Sequence, residues 1–322
     1  MKISQELKSL CENPLAQRRA QAAVEKARDE WLSDRRVMRL MRDLEAYGAG
    51  AEWDDCPALG ELMTSAGTTN MLIARLVEGL CAVLRENPLA HVPFRHQRSG
   101  GTSILQIATP GRAALVLLAY DGTGPDCAID RVTFSDVERR ELVLAGSAEL
   151  VLSTLQTEWA NRAEIASASR RIAKGESLLL LPNEARSASQ VHGRMVMLRV
   201  ARTPADPAPS RVFDIHTGRL LHRASGNRAE SHGEMALALL GRMGRLDAVP
   251  LFAELAREGS AHFRWQALRE CLALDSGAGF TELARIAADP GDPLQSPAAS
   301  LRAQLLEAHP QLARLESFPC PA

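Results

Sequence analysis

The sequence predicts a multidomain α+β chain with three parts: helices at the N-terminus (residues 1–90), a barrel of short strands closed by a hairpin (91–226), and helical hairpins at the C-terminus (227–322). Three observations predict it. Apolar residues recur at three- and four-residue spacing up to residue 88. From about residue 92 the chain turns to short β-branched and aliphatic runs punctuated by Gly, Pro, Asp and Ser. From Glu230 the helical period returns, now as a repeat with an offset of 31 residues.

In the first part, Leu7, Leu10 and Cys11 mark one helix. Ala22, Val24 and Ala27 near Trp31 mark a second, and Val37, Leu40 and Met41 a third. Leu72, Leu76, Leu80 and Val83 mark the last. Asn13-Pro14 separates the first two helices, because a residue before proline is pushed out of the helical region. Gly48, Gly50 and Trp53-Asp54-Asp55 read as a loop, and Asn87-Pro88 ends the last helix. The stretch Arg35–Asp43 carries both charge signs and reads as a solvated face, with partner binding as the sharper option.

Strands are expected at Ser103–Ala108, Ala114–Tyr120, Ala128–Phe134, Glu141–Ala145, Glu149–Leu155, Ser177–Leu181 and Arg194–Val200. Thr109-Pro110-Gly111, Asp121–Asp126, Gly146-Ser147, Lys174-Gly175 and Pro182-Asn183 connect them. Arg211–Ile215 and Arg219–His222 flank His216-Thr217-Gly218 as a hairpin. In the repeat, Ala236-Leu237 matches Ala267-Leu268, Leu240 matches Cys271, and Phe252 matches Leu283. One more step reaches Ala298, which opens a partial third unit over Ala298–Leu306. Each unit reads as two short helices joined by a polar turn, Gly244–Asp247 in the first and Asp275–Gly277 in the second. Such a hairpin cannot bury its apolar face alone, so neighbours must stack.

Of 322 residues 46% are hydrophobic and 24% charged, which is enough apolar material for a core. Lys and Arg number 38 against 39 Asp and Glu, so the charge balance offers no footprint for nucleic acid or an anionic membrane. Two Tyr and four Trp supply no stacking platform for single strands. The cysteines (Cys11, Cys56, Cys81, Cys127, Cys271 and Cys320) form no C-x-x-C pair and read as reduced thiols. The N-terminus lacks the apolar core of a signal peptide, and purely aliphatic runs such as Leu178–Leu181 and Ala113–Ala119 fall far short of a membrane span. Together these give a cytoplasmic expectation.

Phe263-Arg264-Trp265-Gln266-Ala267-Leu268-Arg269 and Ala284-Arg285-Ile286-Ala287, closed by Asp289-Pro290, resemble the HEAT family over about residues 230–310. The resemblance implies an interaction surface. Residues 92–202 resemble the cupin family, whose fold is a jelly-roll barrel. Glu141–Leu150 looks like the strand–Gly–strand hairpin of its first motif, and Ile172–Glu184 looks like its second. Metal cupins place two His and one Glu in the first motif and one His in the second. Counted from Gly146 and Pro182, those places fall near Thr133, Ser135, Arg139 and Ser187. Hydroxyls and a guanidinium are poor partners for a divalent cation, so no metal or other cofactor is expected. A shift of the count by a residue or two would bring in Asp136, Glu138 or Glu141.

If the cupin orientation holds, Arg131, Thr133, Ser135, Arg139 and Ser187 point into the barrel. There they would suit a small carboxylate or phosphate, which guanidinium binds in bidentate fashion. A weak metal alternative groups Asp214, His216, His222 and His232 around the hairpin, at a spacing that matches no zinc motif. A G-x-S-x-G elbow and a Gly-rich phosphate loop are absent from the sequence. The leading expectation is a non-catalytic sensor or adaptor: a metal-free barrel that takes a small anion, fused to repeats that contact a protein partner. The alternatives are an isomerase-, lyase- or hydrolase-like enzyme or a cupin oxygenase using the cavity, and a structural subunit that dimerises through exposed sheet edges.

Overall fold

The structure is a computed structural model that describes residues 14–88, 90–122, 130–159 and 161–317. The helix expected around Leu7–Cys11, residues Ala128 and Ile129 of one expected strand, most of the Asp121–Asp126 connector, Cys127 and Cys320 lie outside the described residues. The described residues up to Ala205, with Val212–Leu221, form one compact unit. Asp206–Arg211 and the residues from His222 onward form a second.

The first unit opens with α1 (Pro14–Leu32), α2 (Arg35–Ala49), α3 (Pro57–Thr64) and α4 (Ala66–Glu86). Asp34 caps α2 by accepting from the Arg36 amide at 2.8 Å. The short α3 lies just after the expected loop, in a stretch to which the sequence assigns no separate helix. Its eight residues are too few to show a period, and it is held by Pro57 in its first turn and by the Asp43 carboxylate on the Ala58 amide (2.7 Å). By length and composition α4 could cross a membrane; here Thr69, Leu72, Ile73, Leu76 and Leu80 lie buried along one face of it.

The strands follow: β1 (Arg95–Ser99), β2 (Thr102–Ala108), β3 (Ala113–Asp121), β4 (Arg131–Phe134), β5 (Glu138–Trp159), β6 (Arg162–Ala173), β7 (Ser177–Leu180), β8 (Glu184–Arg202), β9 (Ser210–Asp214) and β10 (Leu220–Ala224). The larger sheet runs β1-β2-β3-β8-β5-β6, with β7 also on β5; the smaller runs β10-β9-β4. The larger sheet is antiparallel, with β5 and β8 forming its long central ribbon.

Two expectations fail in this ribbon. Glu141–Ala145 and Glu149–Leu155 are not a hairpin turning at Gly146-Ser147: they belong to one 22-residue strand, β5. Gly146 is a bulge, with φ of +79° and register shifts on either side of it. A Cβ there would sit 1.9 Å from the Arg194 carbonyl oxygen of β8, so glycine serves close approach rather than reversal. The second miss is β6, whose Ala-Ser-Ala-Ser-Arg-Arg segment is exposed and offers no apolar alternation.

The bulge also divides the packing. Strand alternation sends Leu142 and Leu144 of β5, Leu198 and Val200 of β8, and Ala113 and Leu115 of β3 into one core with the helices. Each of these Leu and Val side chains contributes roughly 1.5–3 kcal/mol by burial. At the edge of this core Arg140 lies 4.1 Å over the Trp53 ring and Arg202 4.1 Å over Tyr47, while Glu138 pairs with both arginines. Burial raises the Tyr47 phenol to about 12, with Glu138 adding to it. The opposite face packs Val116, Leu118, Val143, Met195 and Met197 with Ala148, Leu150 and Ile172. Residues from both halves of β5 thus share one core, so the ribbon bends back on itself at the bulge.

In the second unit the hairpins fall where the repeat places them. They are α5 (Arg228–Arg242) with α6 (Val249–Leu255), α7 (Ala261–Leu274) with α8 (Ser276–Ala288), and α9 (Gln295–Ala308) followed by a 3₁₀ segment (Pro310–Ser317). Asn227, Ser260 and Asp275 cap α5, α7 and α8 through their side chains. Leu237, Phe252, Phe263, Leu268, Phe280 and Leu283 share one core. The polar turns are shorter than expected: Leu246 and Asp247 of the first lie in a 3₁₀ segment, and Ser276 and Gly277 of the second open α8, which Asp275 caps.

The bulge is testable. Gly146→Ala forces a Cβ against backbone at positive φ, and it should lower stability by at least about 2 kcal/mol in a urea titration. A loss below about 0.5 kcal/mol, the size of an ordinary surface change, would show that β5 and β8 do not approach as described.

Candidate functional site

A fully buried carboxylate marks the candidate site. Alternation on β5 places Arg139, Glu141 and Val143 on the face away from the helices. The register sets Glu141 opposite Arg199 of β8 on one side and Leu178 of β7 on the other. Arg199 Nε donates to Glu141 Oε1 at 2.6 Å. The other carboxylate oxygen accepts from Arg186 Nε, which lies in the half of β8 beyond the bend. Arg186 Nη2 then donates to the Tyr120 hydroxyl of β3 at 2.9 Å. The bent ribbon is what lets Arg186 meet Glu141.

Burial would raise the pKa of Glu141, but the charges and hydrogen bonds of Arg186 and Arg199 outweigh it and hold the carboxyl below its ordinary value. Burial likewise disfavours the charged form of Arg186, and Glu141 and Tyr120 reverse that and raise it. Arg139 differs. Burial lowers its pKa, and the neighbouring Arg199 guanidinium lowers it further. Its Nη2 donates to the Glu184 carbonyl at 2.7 Å, while its buried Nε has no hydrogen-bond partner among the described residues. Three guanidiniums thus gather near Glu141, whose two oxygens are taken by Arg186 and Arg199, while Glu184 adds a second negative charge near Arg139. The Arg186 side chain is 4% exposed and Arg199 23%, so the cluster opens toward solvent on the Arg199 side.

Of the residues expected to line the cavity, only Arg139 belongs to this cluster. Arg131 and Thr133 are exposed, and the inward positions of β4 are their neighbours Val132 and Phe134, which pack with Phe213. The parity assigned to β4 is therefore reversed, because the small sheet buries its apolar pair. Ser135 is half-buried just past the end of β4. Ser187 is half-buried, and alternation along β8 turns it to the face opposite Arg186. The metal alternative is not assembled: Asp214 Oδ1 accepts the Thr217 amide (2.8 Å), the Thr217 hydroxyl (2.8 Å) and the His216 amide (3.1 Å), so it fixes its own turn. His216, His222 and His232 are exposed. Among the described residues no group of three or more His, Cys, Asp or Glu side chains is placed to hold a metal ion.

The sequence reading missed Tyr120, Arg186 and Arg199. Arg199 did carry a signal, a charge inside the apolar alternation Met197-Leu198-Arg199-Val200. Arg186, in the polar run Glu184-Ala185-Arg186-Ser187, carried none. A second polar cluster lies in the C-terminal unit. Glu230 accepts from Ser225 Oγ (2.7 Å), Ser260 Oγ (2.6 Å) and the Ser260 amide (2.8 Å). The His262 Nε2 of the same cluster lies 3.1 Å from Glu234 without hydrogen-bond alignment, and burial lowers its pKa. These groups tie α5, α7 and the Ser225 segment together.

No protein-family model matches the chain, and no curated protein sequence matches it. Solved structures are similar to part of it. Cupins are among them. An RmlC-like cupin from Shewanella frigidimarina is 11% identical over 35% of this chain and 87% of its own, with a TM-score of 0.25. HutD from Pseudomonas fluorescens is 16% identical over 35% of this chain and 58% of its own, with a TM-score of 0.25. The 7S globulin of Momordica charantia is 10% identical with a TM-score of 0.27, over 38% of this chain, which spans only 35% of the globulin's length.

Glu141→Gln removes the charge that the buried Arg186 and half-buried Arg199 guanidiniums share. It should cost roughly 3 kcal/mol or more at neutral pH. Because the folded pKa of Glu141 lies below its unfolded value, its contribution is fully present above about 4.5 and is lost as pH falls through the lower folded value. Urea titrations across that acid range should show this loss in the parent protein and not in the variant. A cost below about 1 kcal/mol, typical of an exposed pair, would contradict the buried assignment.

Proposed function

We propose that the central sheets form a metal-free, cupin-like barrel that binds a small carboxylate, and that the protein is a ligand-sensing adaptor. One observation carries the reading: half-buried Arg139 keeps a buried Nε without a hydrogen-bond partner among the described residues, beside two guanidiniums that both bind Glu141. Burying a cation without a partner is costly, and an incoming anion relieves that cost. A carboxylate fits because a guanidinium edge presents parallel donors to its two oxygens. In this reading Arg139 binds the ligand through Nε, Arg199 faces the opening, and Glu141 with Tyr120 holds Arg186 in position. Glu141 serves as a counter-ion, since a carboxyl held below its ordinary pKa by two guanidiniums is a poor proton acceptor at neutral pH. The C-terminal hairpins, read as HEAT-like units, provide the surface for a protein partner.

A thermal-shift titration with acetate, malonate, succinate and inorganic phosphate tests the binding step. At least one carboxylate should raise the melting temperature saturably, and Arg139→Gln should weaken that ligand at least about tenfold, the loss expected for one charged hydrogen bond of about 1.5 kcal/mol or more. No saturable shift in the parent protein, or an equal shift in Arg139→Gln, would overturn the reading.

A further inference from the structure

The second unit contains a groove that the barrel reading leaves unused. It is about 430 Å³ in volume and lies among α7, α9 and the 3₁₀ segment after α9. That is within the usual range for small-molecule pockets, roughly 300–1,000 Å³. Its apolar lining is Leu272, Leu301, Leu305 and Leu312, each packed against the core yet only half-buried. Leucines of the same unit that face the core directly, such as Leu268 and Leu283, are fully buried.

Charge at the rim has one sign. Arg269 stands there exposed and forms no ion pair or side-chain hydrogen bond among the described residues. Its other polar neighbours in the lining are Ser276, His309 and Gln311, and no carboxylate contributes. Several arginines of this unit are paired, Arg264 with Asp292, Arg245 with Asp247, and Arg257 and Arg285 with Glu282, but none of these lines the groove. An unengaged guanidinium above an apolar trough is complementary to one chemistry, an anion with an apolar tail.

We propose that this groove binds an amphipathic carboxylic acid, with its carboxylate on Arg269 and a short aliphatic tail along Leu272, Leu301, Leu305 and Leu312. The tail removes water from half-buried leucine surface, and the head pairs with Arg269, the only Lys or Arg in the lining among the described residues. Binding therefore requires both ends of the ligand.

Isothermal titration of the full chain with hexanoate, octanoate, octanol and octylammonium tests this. Octanoate should bind, and affinity should rise about fourfold for each added methylene, as expected for burial of one CH₂. Octanol and octylammonium should bind at least about tenfold more weakly than octanoate, for loss of one charge-assisted contact. Arg269→Gln, an exposed change that leaves the core untouched, should bring octanoate down to the level of octanol. Absence of octanoate binding, affinity independent of tail length, or equal affinity in Arg269→Gln would each overturn the proposal. Equal binding of octylammonium would do the same, by reducing the groove to a nonspecific apolar contact.

Discussion

The bridge from Glu141 to Arg186 and Arg199 depends on a bend in the chain. Arg199 reaches Glu141 directly across a strand pair, but Arg186 sits in the far half of β8 and reaches it only because the β5–β8 ribbon folds back. A carboxylate with no solvent exposure is stable only when its charge is answered on both oxygens. The bend, the alternation of β5 and the pairing of β8 are thus conditions for one another. Gly146 supplies the close approach at the bend, and Glu141 locks the two halves once they meet.

Strand β5 also separates two kinds of work by simple alternation. Its even positions, Glu138, Arg140, Leu142 and Leu144, face the helices and join the packing around Tyr47 and Trp53. Its odd positions, Arg139, Glu141 and Val143, face the other core. Neighbours in sequence therefore live in different environments, and a shift of one residue would exchange them. Arg139 and Arg140 illustrate this. Arg140 stacks on Trp53 and pairs with Glu138, whereas Arg139 is half-buried with a buried, unsatisfied Nε. The surplus positive charge on the inner face is what makes that face a candidate for anion recognition.

Much of the architecture was legible in residues close together in sequence. The helices around Val37–Leu44 and Leu72–Leu80 announce themselves by apolar spacing, and the C-terminal helices by a 31-residue offset that matches Ala236, Ala267 and Ala298. What was not legible depends on long-range pairing. A glycine inside a strand run reads as a turn, and only the proximity of the Arg194 carbonyl reveals a bulge. The exposed Ala166–Arg171 stretch of β6 has no apolar face to display. The place of Arg139 was counted from a motif whose Gly146 turn is, in the structure, an irregularity inside β5. Arg186 and Arg199 lie 45 and 58 residues beyond Glu141, and no local pattern specifies that register. Val132 and Phe134 outweighed the expected parity of Arg131 and Thr133 because aliphatic and aromatic burial is worth more than orienting two polar side chains.

The central claim is that Arg139 waits for an anion. Two-dimensional ¹H–¹⁵N spectra of arginine side chains, recorded while the intact protein is titrated with small carboxylates, observe that Nε–H group directly. The account predicts one saturable resonance shift at Arg139, accompanied by a smaller change at Arg199, with Arg186 held still by Glu141. An Arg139 signal that stays fixed throughout the titration, or that moves no more than those of exposed arginines, would contradict it.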